Sequence, residues 1–332
     1  MDEDEECKDR TNIQIALWKQ SVYGYCNNIY FIYDYPKRMI KTMNESNLYP
    51  GVWKGLGACL LFWGMSMFLG VFDWMITSIT HVRIGLSLFL SAMCAWFVLN
   101  LLQKHNVPTF SYQFKVKYKK LFLWLFLAAI GLILGVSIPI QESLPSIPIL
   151  DKLIKDIMEG LLQLPVVVLI LSTVVMAPVF EELIFRGILL NGFMHRYSKV
   201  KAVLLASVLF ALTHGIPQQM ITAFILGCYL GWIYAKTRNS TLTIAAHFFN
   251  NGLAVLMSVL LLGDKALTDS EMSFYASVTS KYGFVASVII VLGALVLLFV
   301  SLYQINKLLK KEGFAQEEDI QNADHVDQLG LS

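Results

Sequence analysis

Three short stretches hold nearly all the ionisable and amide side chains that lie within apolar sequence. They are Pro178-Val179-Phe180-Glu181-Glu182-Leu183-Ile184-Phe185-Arg186-Gly187, Phe210-Ala211-Leu212-Thr213-His214-Gly215 and His247-Phe248-Phe249-Asn250-Asn251. Read as helices, their spacing sorts the side chains into roles. Glu182 and Arg186, four apart, share a face and can neutralise each other. Glu181 sits ~100° round the same helix and must face something else. His247 and Asn251 are again four apart and project into a common space. Phe210 and His214 repeat the interval, with an aromatic ring one turn below an imidazole. An ion pair, a core histidine or a bridging asparagine each has an ordinary structural explanation. A left-over carboxylate, two histidines and an asparagine together are harder to explain so, because ionisable groups in lipid cost several kcal/mol unless paired or hydrated.

The chemistry such a set can perform is narrow. A carboxylate beside histidine suits general-base activation of water, and His and Asn donors on one face suit stabilisation of a developing oxyanion. Together they point to hydrolysis of an acyl bond, most simply a peptide bond. No Ser–His–Asp or Cys–His arrangement offers a nucleophile, and no HExxH stretch offers a zinc pair. Cys7, Cys26, Cys59, Cys94 and Cys228 are scattered, with no CxxC. The expectation is hydrolysis with no metal and no other cofactor.

The elements that must position these residues are membrane helices. Of 332 residues, 56% are hydrophobic and 15% charged, against about 25% charged in a soluble domain. That composition excludes a disordered chain, a secreted disulfide scaffold and a nucleic-acid binder. A hydrocarbon core of ~30 Å takes about 20 helical residues to cross, and only helices satisfy their own backbone there in a chain of this pattern. Apolar runs at 54–72, 84–102, 120–140, 161–194, 201–216, 217–235, 241–262 and 284–305 predict an all-α polytopic membrane protein. It would have about eight transmembrane helices, with the catalytic bundle in the C-terminal half. The 161–194 run is too long for one straight crossing, roughly 50 Å at 1.5 Å per residue. It contains Pro165 and Pro178, so a kink or break is expected.

Charge supplies the orientation. Lys and Arg crowd into 1–54, 103–120, 195–201, 236–240 and 306–332, whereas the alternate loops hold only Arg83, Lys152, Lys155, Lys265 and Lys281. Both termini are then cytoplasmic, with the polar cavity opening toward the cytoplasm. The division is an N-terminal cytoplasmic or interfacial tail over 1–52, a transmembrane domain over 53–306 and a cytoplasmic tail over 307–332. The acidic start, Asp2 to Glu6, is unlike a signal peptide, and the composition favours a bacterial plasma membrane. Lipid and a membrane-associated peptide or protein are the expected partners, and nucleic acid is not. A transporter would show inverted-repeat halves, but the polar residues are confined to the second half.

With all three motifs in order, the chain resembles the CPBP family of intramembrane proteases, also called the Abi or type II CAAX prenyl protease family. The hallmark EExxxR, FxxxH and HxxxN read here as Glu181-Glu182 to Arg186, Phe210 to His214, and His247 to Asn251. The likeness covers about 160–262. It implies an endopeptidase in which Glu181 is the general base, His214 assists it, and His247 and Asn251 form the oxyanion hole. Glu182 and Arg186 would then position Glu181, Phe210 would line the cavity, and no metal would be needed. Within the family, bacterial members are linked to bacteriocin self-immunity, peptide maturation and regulation. A non-catalytic peptide-binding, bacteriocin-immunity or regulatory scaffold is therefore the alternative. The resemblance fixes neither substrate nor oligomeric state.

Overall fold

The computed structural model describes residues 51–57, 59–61, 64, 119–145, 152, 165–262 and 274–311. The expected span at 84–102, most of that at 54–72, residues 1–50 of the N-terminal tail and 312–332 of the C-terminal tail lie outside the described residues. The described residues are helical, without a β-strand, and we number the helices α1 Lys119–Ser143, α2 Val166–Met194, α3 Lys199–Leu212, α4 Pro217–Thr237, α5 Ser240–Leu262, α6 Phe274–Tyr282 and α7 Phe284–Lys311. Four of them are long and apolar enough to cross a membrane: α1, α2, α4 (over Gln219–Thr237) and α7. The run at 201–216 yields only the 14-residue α3, about 21 Å long at 1.5 Å per residue. The 23-residue α5 reaches spanning length but carries the polar side chains of the third motif.

The 161–194 run is not broken after Pro165. That residue, at φ −53° and ψ 132°, precedes a 29-residue helix in which Ile170–Met176 and Leu183–Leu190 wind as π-helix. The first wide stretch has a local cause. The Ala177 N–H bonds Ser172 O, five residues back. The next donor in that register would bond Thr173 O, but it is Pro178, which has no N–H. Helix α1 repeats the arrangement: Ile138 N–H bonds Ile133 O, and Pro139 follows, leaving Leu134 O. A buried carbonyl without a partner costs about as much as a lost hydrogen bond. Both are filled from other helices: Asn251 Nδ2 donates to Thr173 O at 3.0 Å, and the Tyr275 hydroxyl donates to Leu134 O.

Small residues let the helices close on one another, as is usual where packing rather than hydrophobicity drives association. A Cβ on Gly131 of α1 would lie 2.8 Å from the backbone of Ala294 and Leu298 in α7. A Cβ on Gly227 of α4 would lie 3.0 Å from Ser207 in α3. The α3–α4 turn uses Gly215 at φ 71° and starts α4 on Pro217, whose missing N–H costs nothing at a first turn. Helix α4 ends on Arg238 at φ 49°, and the Arg238 guanidinium donates to Asn191 Oδ1 at 2.8 Å. Asn239 then caps α5, its Oδ1 accepting from Thr241 N at 2.9 Å and Leu242 N at 3.4 Å.

The antiparallel registers of α1 with α7 and of α3 with α4 sort the charges. Gly131 faces Ala294 and Leu298, while Gly227 and Gly231 face Ser207 and Val203. One end of the bundle therefore gathers Lys119, Lys120, Lys199, Lys201, Lys236, Arg238, Lys307, Lys310 and Lys311, here called the basic rim. The far end holds the end of α1, the Thr213–Ile216 turn, the end of α5, all of α6 and the start of α7.

Candidate active site

The deepest layer of the site is a sealed ion network. Glu182 and Arg186 are at most 1% exposed, and Arg186 Nη1 donates to Glu182 Oε1 at 2.7 Å. The second nitrogen, Nη2, donates to Gly227 O at 3.2 Å, so the same glycine that admits α3 also supplies an acceptor. The guanidinium lies 4.6 Å from the centroid of the Phe210 ring, a favourable place for a cation. That ring also meets Phe185, His214 and His247 edge to face, at 5.2, 4.9 and 5.8 Å. Phe210 is thus the hub on which both histidines and the arginine rest.

The partners fix the histidine tautomers, since carbonyl and carboxylate oxygens only accept. His247 Nδ1 lies 2.9 Å from Glu182 Oε1 and therefore carries the donated proton. Its Nε2 points to Glu181 Oε2, 3.7 Å away. His214 Nδ1 lies 3.0 Å from Phe210 O and likewise donates. Each imidazole thus keeps Nε2 for other chemistry. Glu181 is 23% exposed where its neighbour Glu182 is sealed, so the two adjacent carboxylates differ in access to water.

Glu181, His214, His247 and Asn251 all line one cavity of about 490 Å³, with Gln219, Asn250 and Glu142 among the other polar lining residues. Phe210 stands behind the two histidines rather than on the lining. The lining includes the carboxylates Glu181 and Glu142 and, among the described residues, no lysine or arginine. The cavity runs from His247 toward Gln141, Glu142 and Phe274, at the far end of the bundle. The opening expected toward the basic side is not where the lining leads, because that half is filled by Leu189, Leu190, Phe193, Leu230 and Leu242, each at most 1% exposed. His214 lies in the turn after α3 rather than within the helix.

Three contacts escaped the sequence reading. Glu182 serves His247 as well as Arg186, across 65 positions. Asn251 spends one amide proton on Thr173 O, and its Oδ1 accepts from Asn250 Nδ2 at 3.4 Å. Asn250 itself joins the lining, with its Oδ1 unpartnered. Only the proline that follows the wide turn could have signalled the second.

Apolar helices of spanning length around a shared carboxylate–histidine cavity make this a helical membrane protein with a cluster of ionisable side chains at its centre. A family model described as type II CAAX prenyl endopeptidase Rce1-like matches residues 163–253, the stretch from the start of α2 into α5. The chain is 26% identical over 103 residues to the protein described as "Putative membrane peptidase YdiL" of Bacillus subtilis (strain 168). That match takes in 31% of this chain and 41% of the relative, so the chain spans about two fifths of the relative's length. No solved structure matches the chain. Over residues 163–253 the chain is therefore similar to the type II CAAX endopeptidases of the CPBP family.

Proposed function

We propose that the protein is an intramembrane endopeptidase that hydrolyses a peptide bond of a membrane-associated peptide or protein with water activated by Glu181. The observation that carries this reading is the common cavity of Glu181, His214, His247 and Asn251, with His247 held by Glu182. A water between Glu181 and the scissile carbonyl gives its proton to the carboxylate as its oxygen bonds the carbonyl carbon. His214 Nε2 accepts a hydrogen bond from that water and holds it on line. The tetrahedral oxyanion accepts a hydrogen bond from the Asn251 amide N–H not spent on Thr173 O. His247 Nε2 supplies a second hydrogen bond when it carries a proton, its ring held by Glu182. Collapse breaks the C–N bond, and the Glu181 proton passes to the leaving amine. Asn250 Oδ1 supplies an acceptor for a substrate N–H beside the scissile bond.

The family name brings prenylated CAAX tails to mind, but the cavity favours an internal bond. A free C-terminal carboxylate would enter beside Glu142 and Glu181 with no lysine or arginine on the described lining, and like charges at close range repel. The test is turnover of a membrane-peptide library by purified protein, wild type beside Glu181→Gln. Cleavage by the wild type and its loss in the variant is the expected result. Peptide binding without cleavage in both would replace the enzyme with a scaffold.

A further inference from the structure

We infer that the site is loaded from the membrane face opposite the basic rim, the extracytoplasmic face, so that its substrate is a peptide segment exported to or displayed on that face. The inference takes the peptidase reading as given for what is cut, and concerns the side from which it comes. Three independent features carry it.

The first is the register. Because α1 pairs antiparallel with α7, and α3 with α4, the basic residues named above fall at one end. Against these, the described residues contribute only Lys281, in the last turn of α6, and Lys152, in the connection from α1 to α2. Lysine and arginine are retained on the cytoplasmic side during insertion, which sets the rim inside and the far end outside.

The second is the cavity's extent. From Glu181 and His247 it follows the second half of α1 (Ile133 to Glu142) and the second half of α5 (Asn251 to Ser258) to Phe274. Each of these segments runs away from the rim. Gln141 and Glu142, at that end, are exposed.

The third is the plug. Between the site and the rim stand the sealed Glu182–Arg186 pair and the fully buried Leu189, Leu190, Phe193, Leu230 and Leu242. A chain entering from the cytoplasm would have to displace this packed layer, and interiors at that density do not part without large rearrangement. A segment from the other side meets polar side chains instead.

The experiment is side-specific thiol labelling of the full chain in spheroplasts of an expressing bacterium, using a membrane-impermeant maleimide. Gln141→Cys reports the cavity mouth, and Tyr282→Cys, 66% exposed in wild type at its tyrosine, reports the same face away from the site. Lys310→Cys reports the rim. The wild-type chain gives the background of its own cysteines. Both far-end reporters should label in intact spheroplasts, and Lys310→Cys only after permeabilisation. Labelling of Lys310→Cys in intact spheroplasts, with the far-end reporters protected until permeabilisation, would overturn the inference. Labelling needs no turnover. A purified protein that cleaves peptides but labels in the reversed order refutes the access side alone. The expected order without cleavage of any peptide refutes the peptidase reading alone.

Discussion

Removing Arg186 is the most informative perturbation of the sealed network. Arg186→Ala deletes the 2.7 Å bond to Glu182 and the 3.2 Å bond to Gly227 O. It also deletes the cation over Phe210 at 4.6 Å. What remains is worse than what is lost: Glu182, 0% exposed, keeps only His247 as a partner, and its Oε2 already lacks one. Breaking a buried pair by removing one member costs about 3–5 kcal/mol, because the survivor is left uncompensated. At about 2–4 °C per kcal/mol for a domain of this class, the melting point should fall by about 6–20 °C. The assay is thermal unfolding of the purified protein in detergent, with Glu181→Gln as the control. That substitution is isosteric at a partly exposed site and should melt close to wild type. The double variant Glu182→Gln with Arg186→Met should recover a large part of the loss, since neutralising both members removes the stranded charge. If Arg186→Ala melts with wild type, the ion network does not hold the site and the positioning argument falls.

Other consequences follow from the same geometry. Asn251→Ala strands the Thr173 carbonyl and should cost about 1–3 kcal/mol; adding Pro178→Ala returns an N–H to that register, so the double variant should melt above Asn251→Ala alone. Gly131→Ala forces a methyl to within 2.8 Å of the α7 backbone and should destabilise by about 1–3 kcal/mol, whereas Gly293→Ala, with open space around it, should not; paired melting curves separate the two. Cleavage should survive exhaustive EDTA and phenanthroline, and activity that vanished and returned only with zinc would make Glu181, His214 and His247 metal ligands. A substrate peptide with an amidated C-terminus should be cut at least as fast as the free acid, read as kcat/KM for the two forms, and a strong preference for the free acid would refute the internal-bond reading.

The sequence revealed contacts within one helix and missed those between helices. The Glu182–Arg186 pair follows from an interval of four, a property of any helix, and the Phe210–His214 contact persists at that interval although His214 sits in the turn that ends α3. The Glu182–His247 bond depends on how α2 and α5 cross, and no periodicity encodes that. The expected break at Pro178 reflected the right cause, a missing donor, but a proline within a membrane helix can be absorbed by a wider turn when a neighbour fills the carbonyl. Here Asn251 is that neighbour. The expected opening of the cavity toward the basic side had no contact behind it, and on that side Leu189, Leu190 and Phe193 are packed without exposure. Hydropathy alone marked α1, α2 and α7 well, because each holds a spanning length of largely apolar sequence. It overstated α3, which stops at Leu212 where the chain turns to present His214.

The wide turn before Pro178 also bears on how this helix can change over generations. A π-turn holds one residue more than the α-turn it replaces, so deleting a single residue from 170–176 could straighten the helix with little loss of backbone bonding. Because the wide turn spends its extra residue on the same rotation, Glu181, Glu182 and Arg186 would keep their face toward the cavity. One residue lost from a regular α-turn between Pro165 and Glu181 would instead swing all three by ~100°. A homologue shortened there would keep the whole EExxxR signature in an alignment while having lost the arrangement that gives it meaning. The wide turn is thus the one place where this helix can lose a residue and keep its aim.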